Sequence, residues 1–127
     1  MASTTFTGPV TSLNGFVGAI TGNVTGNITG DVFSSVQSLS GAGAVNLTDM
    51  MTSLTTTGAS QALTLANGTV GQIKIITHTV DGGSAVLTPT TKIGFSTVTF
   101  TAVGDTVMMI YTAAGWAIIG SRGVTIA

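Results

Sequence analysis

Cysteine and glutamate are absent from this 127-residue chain, and charge of either sign is scarce. The basic residues are Lys74, Lys92 and Arg122, and the acidic ones Asp31, Asp49, Asp81 and Asp105; His78 is the single histidine. Three basic residues cannot neutralise the phosphates on which nucleic-acid binding rests. Without cysteine there are no disulfides, and one histidine cannot build a structural zinc site within one chain. No apolar run approaches the length that spans a bilayer. Residues 1–5 show neither the charged nor the apolar region of a signal peptide. The expected partners therefore include neither nucleic acid nor membrane.

What is present points to extended backbone. Threonine is the commonest residue at 25, followed by glycine at 18, with valine and alanine at 13 each. Branched Cβ atoms suit a pleated surface, and glycine supplies turns and close approach. The composition is all-β. Charged residues make up 6% of the chain, against roughly a quarter in an ordinary soluble domain. A surface this neutral resists self-association poorly. It suits permanent contacts, which then need no charge to be desolvated. Hydroxyl groups that merely solvate the exterior are the competing explanation.

A composition shift near residue 33 divides the chain. Before it, Gly18-Ala-Ile-Thr-Gly22-Asn-Val-Thr-Gly26-Asn-Ile-Thr-Gly30-Asp-Val repeats with a period of four. In an extended chain, side chains alternate faces. Ile20, Gly22, Val24, Gly26, Ile28, Gly30 and Val32 then form one aliphatic face with gaps, and Thr21, Asn23, Thr25, Asn27, Thr29 and Asp31 a polar one. A lone strand of this kind has nothing in its own segment to bury against, so it cannot offset its ordering entropy. Its seven inward positions are the candidate oligomer or capsid interface. The expectation is an intertwined homotrimeric stalk or an arm laid on a partner; a flexible glycine-rich linker is the competing reading. Collagen is excluded because its glycine period is three.

Residues 33–43 read as a loop or a short turn of helix, with Phe33, Val36 and Leu39 at loose helical spacing. From residue 44 the pattern is a run of short strands. Leu63 and Leu65 alternate with Ala62, Thr64 and Ala66, and Asn67-Gly68 is a two-residue hairpin signal. A strand over 70–80 leads through Asp81-Gly82-Gly83 to another over 84–88, which Pro89 ends. Val98 and Phe100 alternate with threonines. Residues 106–112 are apolar on both faces, which predicts an interior strand. The expected organisation is an extended arm or stalk over 1–43 and an antiparallel, jelly-roll-like β-sandwich over 44–127.

The search for catalytic chemistry finds little. His78 lies between threonines in a predicted strand and reads as inert. Asp81 and Asp105 each adjoin glycine in a predicted turn, where a carboxylate bonds local backbone; the rival reading is a convergent acid–base pair. No phosphate loop, nucleophile elbow or dinucleotide fingerprint occurs. The Asn-x-Thr triplets at Asn23, Asn27, Asn46 and Asn67 are matches that a threonine-rich chain produces by chance. Trp116 with Tyr111 reads either as core or as a glycan-binding platform. No catalytic, metal or cofactor residues are expected.

The repeat Gly22-Asn-Val-Thr-Gly26-Asn-Ile-Thr-Gly30 resembles arms in structural proteins of tailed bacteriophages, notably marine and cyanobacterial ones. Ala62-Leu-Thr-Leu-Ala-Asn-Gly-Thr-Val-Gly-Gln-Ile-Lys74 resembles the first hairpin of a β-sandwich found in phage decoration and fibre proteins. Gly104-Asp-Thr-Val and Gly115-Trp-Ala-Ile-Ile-Gly120 resemble the closing strands of that module. The resemblance implies a non-enzymatic virion protein, a homotrimer, whose partners are its own copies and the major capsid protein. One arm and one sandwich suit a capsid decoration, or cement, protein on the virion surface. The alternative is a tail or head fibre module with a receptor- or glycan-binding role.

Overall fold

The computed structural model describes residues 24–127 together with Thr7, Gly8, Leu13 and Gly22. The chain divides into two units, Met1–Asp31 and Val32–Ala127. In the second unit ten strands form: β1 Val36–Ser40, β2 Gly43–Val45, β3 Met51–Thr55, β4 Gln61–Leu65, β5 Ile73–Val80, β6 Ala85–Pro89, β7 Val98–Phe100, β8 Thr106–Thr112, β9 Gly115–Arg122 and β10 Thr125–Ile126. They make two five-stranded sheets, ordered β1-β3-β5-β8-β9 and β10-β7-β6-β4-β2.

The all-β, sandwich-like architecture expected from composition is present, but the sheets are mixed rather than antiparallel. β1, β3 and β5 run parallel in the first sheet, with Val36 opposite Met51 and Met51 opposite Ile75. β2, β4 and β6 run parallel in the second, with Gly43 opposite Leu63 and Leu63 opposite Leu87. Parallel neighbours need a crossover connection. Here the crossover from β1 to β3 is β2 in the opposite sheet, and the same holds along the series to β6. The chain thus winds as a flat coil. The remaining strands add antiparallel pairs, β7 on β6, β8 on β5, β9 on β8 and β10 on β7.

This winding corrects two local expectations. Asn67-Gly68 does not close a hairpin, because β4 and β5 belong to different sheets. The link is held instead by Gln72, whose amide N donates to the Leu47 carbonyl at 2.7 Å and whose Oε1 accepts the Thr69 N–H at 3.0 Å. Gly68 is required there for space: a Cβ would lie 2.9 Å from Cζ2 of Trp116. Residues 33–43 are also not a helical turn. They hold β1 and the start of β2, and so place strands within the 1–43 segment read as arm or stalk.

The two sheets share one apolar core. Leu54, Ile76, Val107, Met109 and Trp116 come from the first sheet, and Val45, Leu63, Leu65, Ala85, Leu87, Val98 and Phe100 from the second. The alternation read at Leu63/Leu65 and Val98/Phe100 is the buried parity. Burying an aliphatic or aromatic side chain contributes roughly 1.5–3 kcal/mol, so these twelve side chains dominate the fold's stability.

Candidate interaction surface

The arm residues described, 24–35, belong to no strand. The backbone bends at Gly22, Gly26 and Gly30, with φ of 127°, 130° and 125°. Such values are open to glycine and closed to residues with a Cβ. The glycine period of four therefore sets a four-residue conformational unit, not the two-residue alternation of an extended strand. A Cβ built at any of these three glycines would meet nothing within 4 Å among the described residues.

Val24, Ile28 and Val32 occupy the same place in successive four-residue units. They are 56%, 61% and 72% exposed. Ile20, the first member of the expected interface, lies outside the described residues. A second apolar surface was not legible in the sequence. Ile93, Gly94, Phe95, Ala117, Ile118 and Ile126 line an open groove of about 410 Å³. It gathers residues from β9, β10 and the 93–95 segment, three stretches that hydropathy alone does not connect. The 91–93 segment is held there by the Trp116 N–H donating to the Thr91 carbonyl at 2.9 Å and the Ile93 N–H donating to the Trp116 carbonyl at 3.0 Å.

The residues considered for chemistry take structural positions. Trp116 is fully buried, its Nε1 donates to the Ala66 carbonyl at 2.9 Å, and Tyr111 meets it edge-on at 5.1 Å between ring centroids. Trp116 belongs to the core, and Tyr111 is partly buried against it. Asp81 closes its own turn, Oδ1 accepting the Gly83 N–H at 2.9 Å. Asp105 is buried, and its Oδ2 accepts the Thr101 and Ala102 N–H groups at 2.7 and 3.0 Å.

His78 and Lys74 point inward from β5 on either side of Ile76. Thr56 Oγ1 donates to the Gly83 carbonyl at 2.9 Å and accepts the Gly82 N–H at 2.9 Å. Its hydrogen is thereby committed, so His78 Nε2, 3.0 Å away, is the donor to it. That tautomer leaves Nδ1 as a buried acceptor without a partner among the described residues.

Lys74 Nζ donates to the Asp49 carbonyl at 2.6 Å. Burial pushes its ammonium below the ordinary lysine range, against the pull of the Asp49 charge. Asp49 is itself held below the usual carboxylate range by hydrogen bonds from Ser35 and Asn46 and by Lys74, against a smaller opposing effect of burial. A lowered folded-state lysine value means that the unfolded chain binds the proton more readily. The cost is full below the folded value and vanishes above the unfolded one, near 10.4. Stability should therefore rise with pH through that window. Lys74→Met removes the buried ammonium at similar length. It is expected to be at least as stable at neutral pH and to lose that alkaline rise in a series of urea midpoints from pH 7 to 10.5. A variant that is several kcal/mol less stable at neutral pH would show that the ammonium–carbonyl bond outweighs its desolvation.

No protein-family model matches the chain, and no curated protein matches it in sequence.

Proposed function

We propose that the protein is a non-enzymatic virion structural protein: a homotrimeric decoration, or cement, protein that sits on the capsid surface of a tailed bacteriophage and bridges major capsid subunits. The observation that carries this reading is the aliphatic row on the arm. Val24, Ile28 and Val32 are largely exposed, and the β-body has a well-developed core of its own. Exposed, uncharged and regularly repeated apolar side chains are what a permanent contact requires. The low charge of the whole chain and the resemblance of its arm repeat to arms of phage structural proteins support it too. The action would be mechanical. Each trimer buries apolar surface across a junction, and binding only the assembled lattice stabilises that lattice by mass action.

The test is the copy number in purified particles, by quantitative mass spectrometry against the major capsid protein. A simple integer ratio is expected. A copy number far below that of the capsid protein would favour a fibre or collar appendage, and absence from particles would overturn the virion reading. Val24→Asp or Ile28→Asp would bury an unpaired charge in every copy of the contact. Either is expected to abolish incorporation while leaving the thermal melt of the body unchanged. Normal incorporation of both would remove the row as an interface.

A further inference from the structure

We propose that Asn67-Gly68 is a modification site: the folded chain loses ammonia there through a succinimide and reopens as aspartate or isoaspartate, and the isoaspartate form loosens the seat of Trp116. The site depends on neither the virion setting nor self-association.

The reaction needs a side-chain amide followed by a residue whose backbone nitrogen can reach it. Glycine offers that nitrogen with no side chain in the way, and asparagine is among the thermolabile residues. The Gly68 nitrogen gives its proton to hydroxide and attacks Cγ of Asn67. The N–Cγ bond forms, the Cγ–Nδ2 bond breaks, and ammonia leaves with a proton supplied by water. Water then opens the ring. Breaking the N–Cγ bond leaves aspartate. Breaking the bond to the Asn67 backbone carbonyl leaves isoaspartate, with the chain running through Cβ and Cγ.

Among the described residues, an amide or carboxyl side chain precedes glycine at Asn67-Gly68 and at Asp81-Gly82, and the structure separates the two. At Asp81-Gly82 both partners are engaged: the Gly82 N–H donates to Thr56 Oγ1 at 2.9 Å, and Asp81 Oδ1 accepts the Gly83 N–H at 2.9 Å. Asn67 is exposed, in a stretch outside any strand. Among the described residues neither its amide nor the Gly68 N–H has a hydrogen-bond partner. No turn requires the pair either, since neither residue has a positive φ. The other described asparagines differ. Asn27 precedes the branched Ile28. Both ends of the Asn46 amide are held, Nδ2 donating to Asp49 Oδ2 at 2.6 Å and Oδ1 accepting the Asp49 N–H at 3.0 Å.

The position of the pair gives the change its effect. Trp116 rests on both neighbours of Asn67. Its Nε1 donates to the Ala66 carbonyl at 2.9 Å, and its ring packs against Gly68, where a Cβ would lie 2.9 Å from Cζ2. Isoaspartate inserts one carbon into the backbone between those two contacts, about 1.5 Å of extra chain. Plain aspartate adds a charge at an exposed position and leaves the backbone length unchanged.

The experiment holds the full chain folded at mildly alkaline pH and follows it by peptide mapping. The map must separate Asn67 from Asn14-Gly15, the same dipeptide outside the described residues. Asn67 should convert to aspartate and isoaspartate at a rate that rises with hydroxide, the isoaspartate being identified by methylation with an isoaspartyl methyltransferase. As it accumulates, Trp116 emission should shift to longer wavelength, and the modified fraction should melt at lower temperature. Asn67→Ser cannot form the ring and should keep its emission and melt through the same incubation. Asn67→Asp, taken fresh, carries the charge on an unaltered backbone and should match unincubated wild type in both readouts. Survival of the Asn67 amide in the folded chain, under conditions that convert it in urea, would overturn the site. Conversion to isoaspartate with Trp116 emission and melt unchanged, or a fresh Asn67→Asp protein already red-shifted, would overturn the link to Trp116.

Discussion

Replacing Trp116 with alanine is expected to lower the stability of the fold by about 3–5 kcal/mol, the usual cost of emptying a large aromatic site. For a body of this size that is a fall in Tm on the order of 15–30 °C. The side chain is fully buried, and it joins elements from both sheets. Its indole bonds the Ala66 carbonyl after β4, its ring lies against Gly68 and Tyr111, and its backbone holds the 91–93 segment. Trp116→Phe keeps part of the packing and loses the hydrogen bond, so it should cost about 1–3 kcal/mol. Since this is the single tryptophan, its fluorescence reports the same site. Emission should be blue-shifted and resistant to soluble quenchers, and added glycans should not alter it. A red-shifted, quenchable signal, or a Trp116→Ala protein that melts like wild type, would contradict the core position.

Asp105→Ala should be the second most damaging change, at about 2–4 kcal/mol, because it leaves the Thr101 and Ala102 N–H groups without their acceptor. Asp105→Asn, which retains one carbonyl oxygen but no charge, should cost about half as much. The carboxyl also responds to pH. Burial raises its pKa, but hydrogen bonds from Thr101 and Ala102 and the nearby His78 bring the net value below the ordinary aspartate range. With the folded value below the unfolded one near 3.9, the unfolded chain binds the proton more readily on acidification. The contribution is complete above about pH 4 and is lost as pH falls through the folded value. The stability gap between wild type and Asp105→Asn should therefore narrow in acid, measured by urea midpoints from pH 6 to 2.5. A gap that stays constant over that range would mean that the carboxylate form contributes nothing.

Strands with one wet face were legible from sequence. At Leu63/Leu65 and Val98/Phe100 the alternation of apolar and polar residues marks the buried parity. β5 was not legible in the same way. Ile73, Ile75 and Ile76 place apolar residues on both faces, and the inward set is Lys74, Ile76 and His78. What makes two polar residues acceptable there is supplied from elsewhere in the chain, by the Asp49 carbonyl and the Thr56 hydroxyl. The parallel winding was hidden for a related reason. Turn residues such as Asn67-Gly68 or Asp81-Gly82-Gly83 show where a strand stops. They do not show which sheet the next strand joins. In the arm, the period of four was plain, but not the backbone it encodes. The groove was invisible because its walls come from three separate stretches, each short and unremarkable in sequence.

The winding also orders events in time. β8 and β9 are joined by a two-residue connection, the cheapest closure in the molecule. β1, by contrast, has β3 as its sole partner in the sheet, and β3 in turn pairs with β5, which pairs with β8. The parallel pairings enclose residues 41–50 and 56–72, whereas the antiparallel pairing of β5 with β8 encloses residues 81–105. Closing the longer loop costs more. During synthesis the coil from β1 to β5 can therefore pair as it emerges, and the first sheet is completed only when β8 and β9 follow.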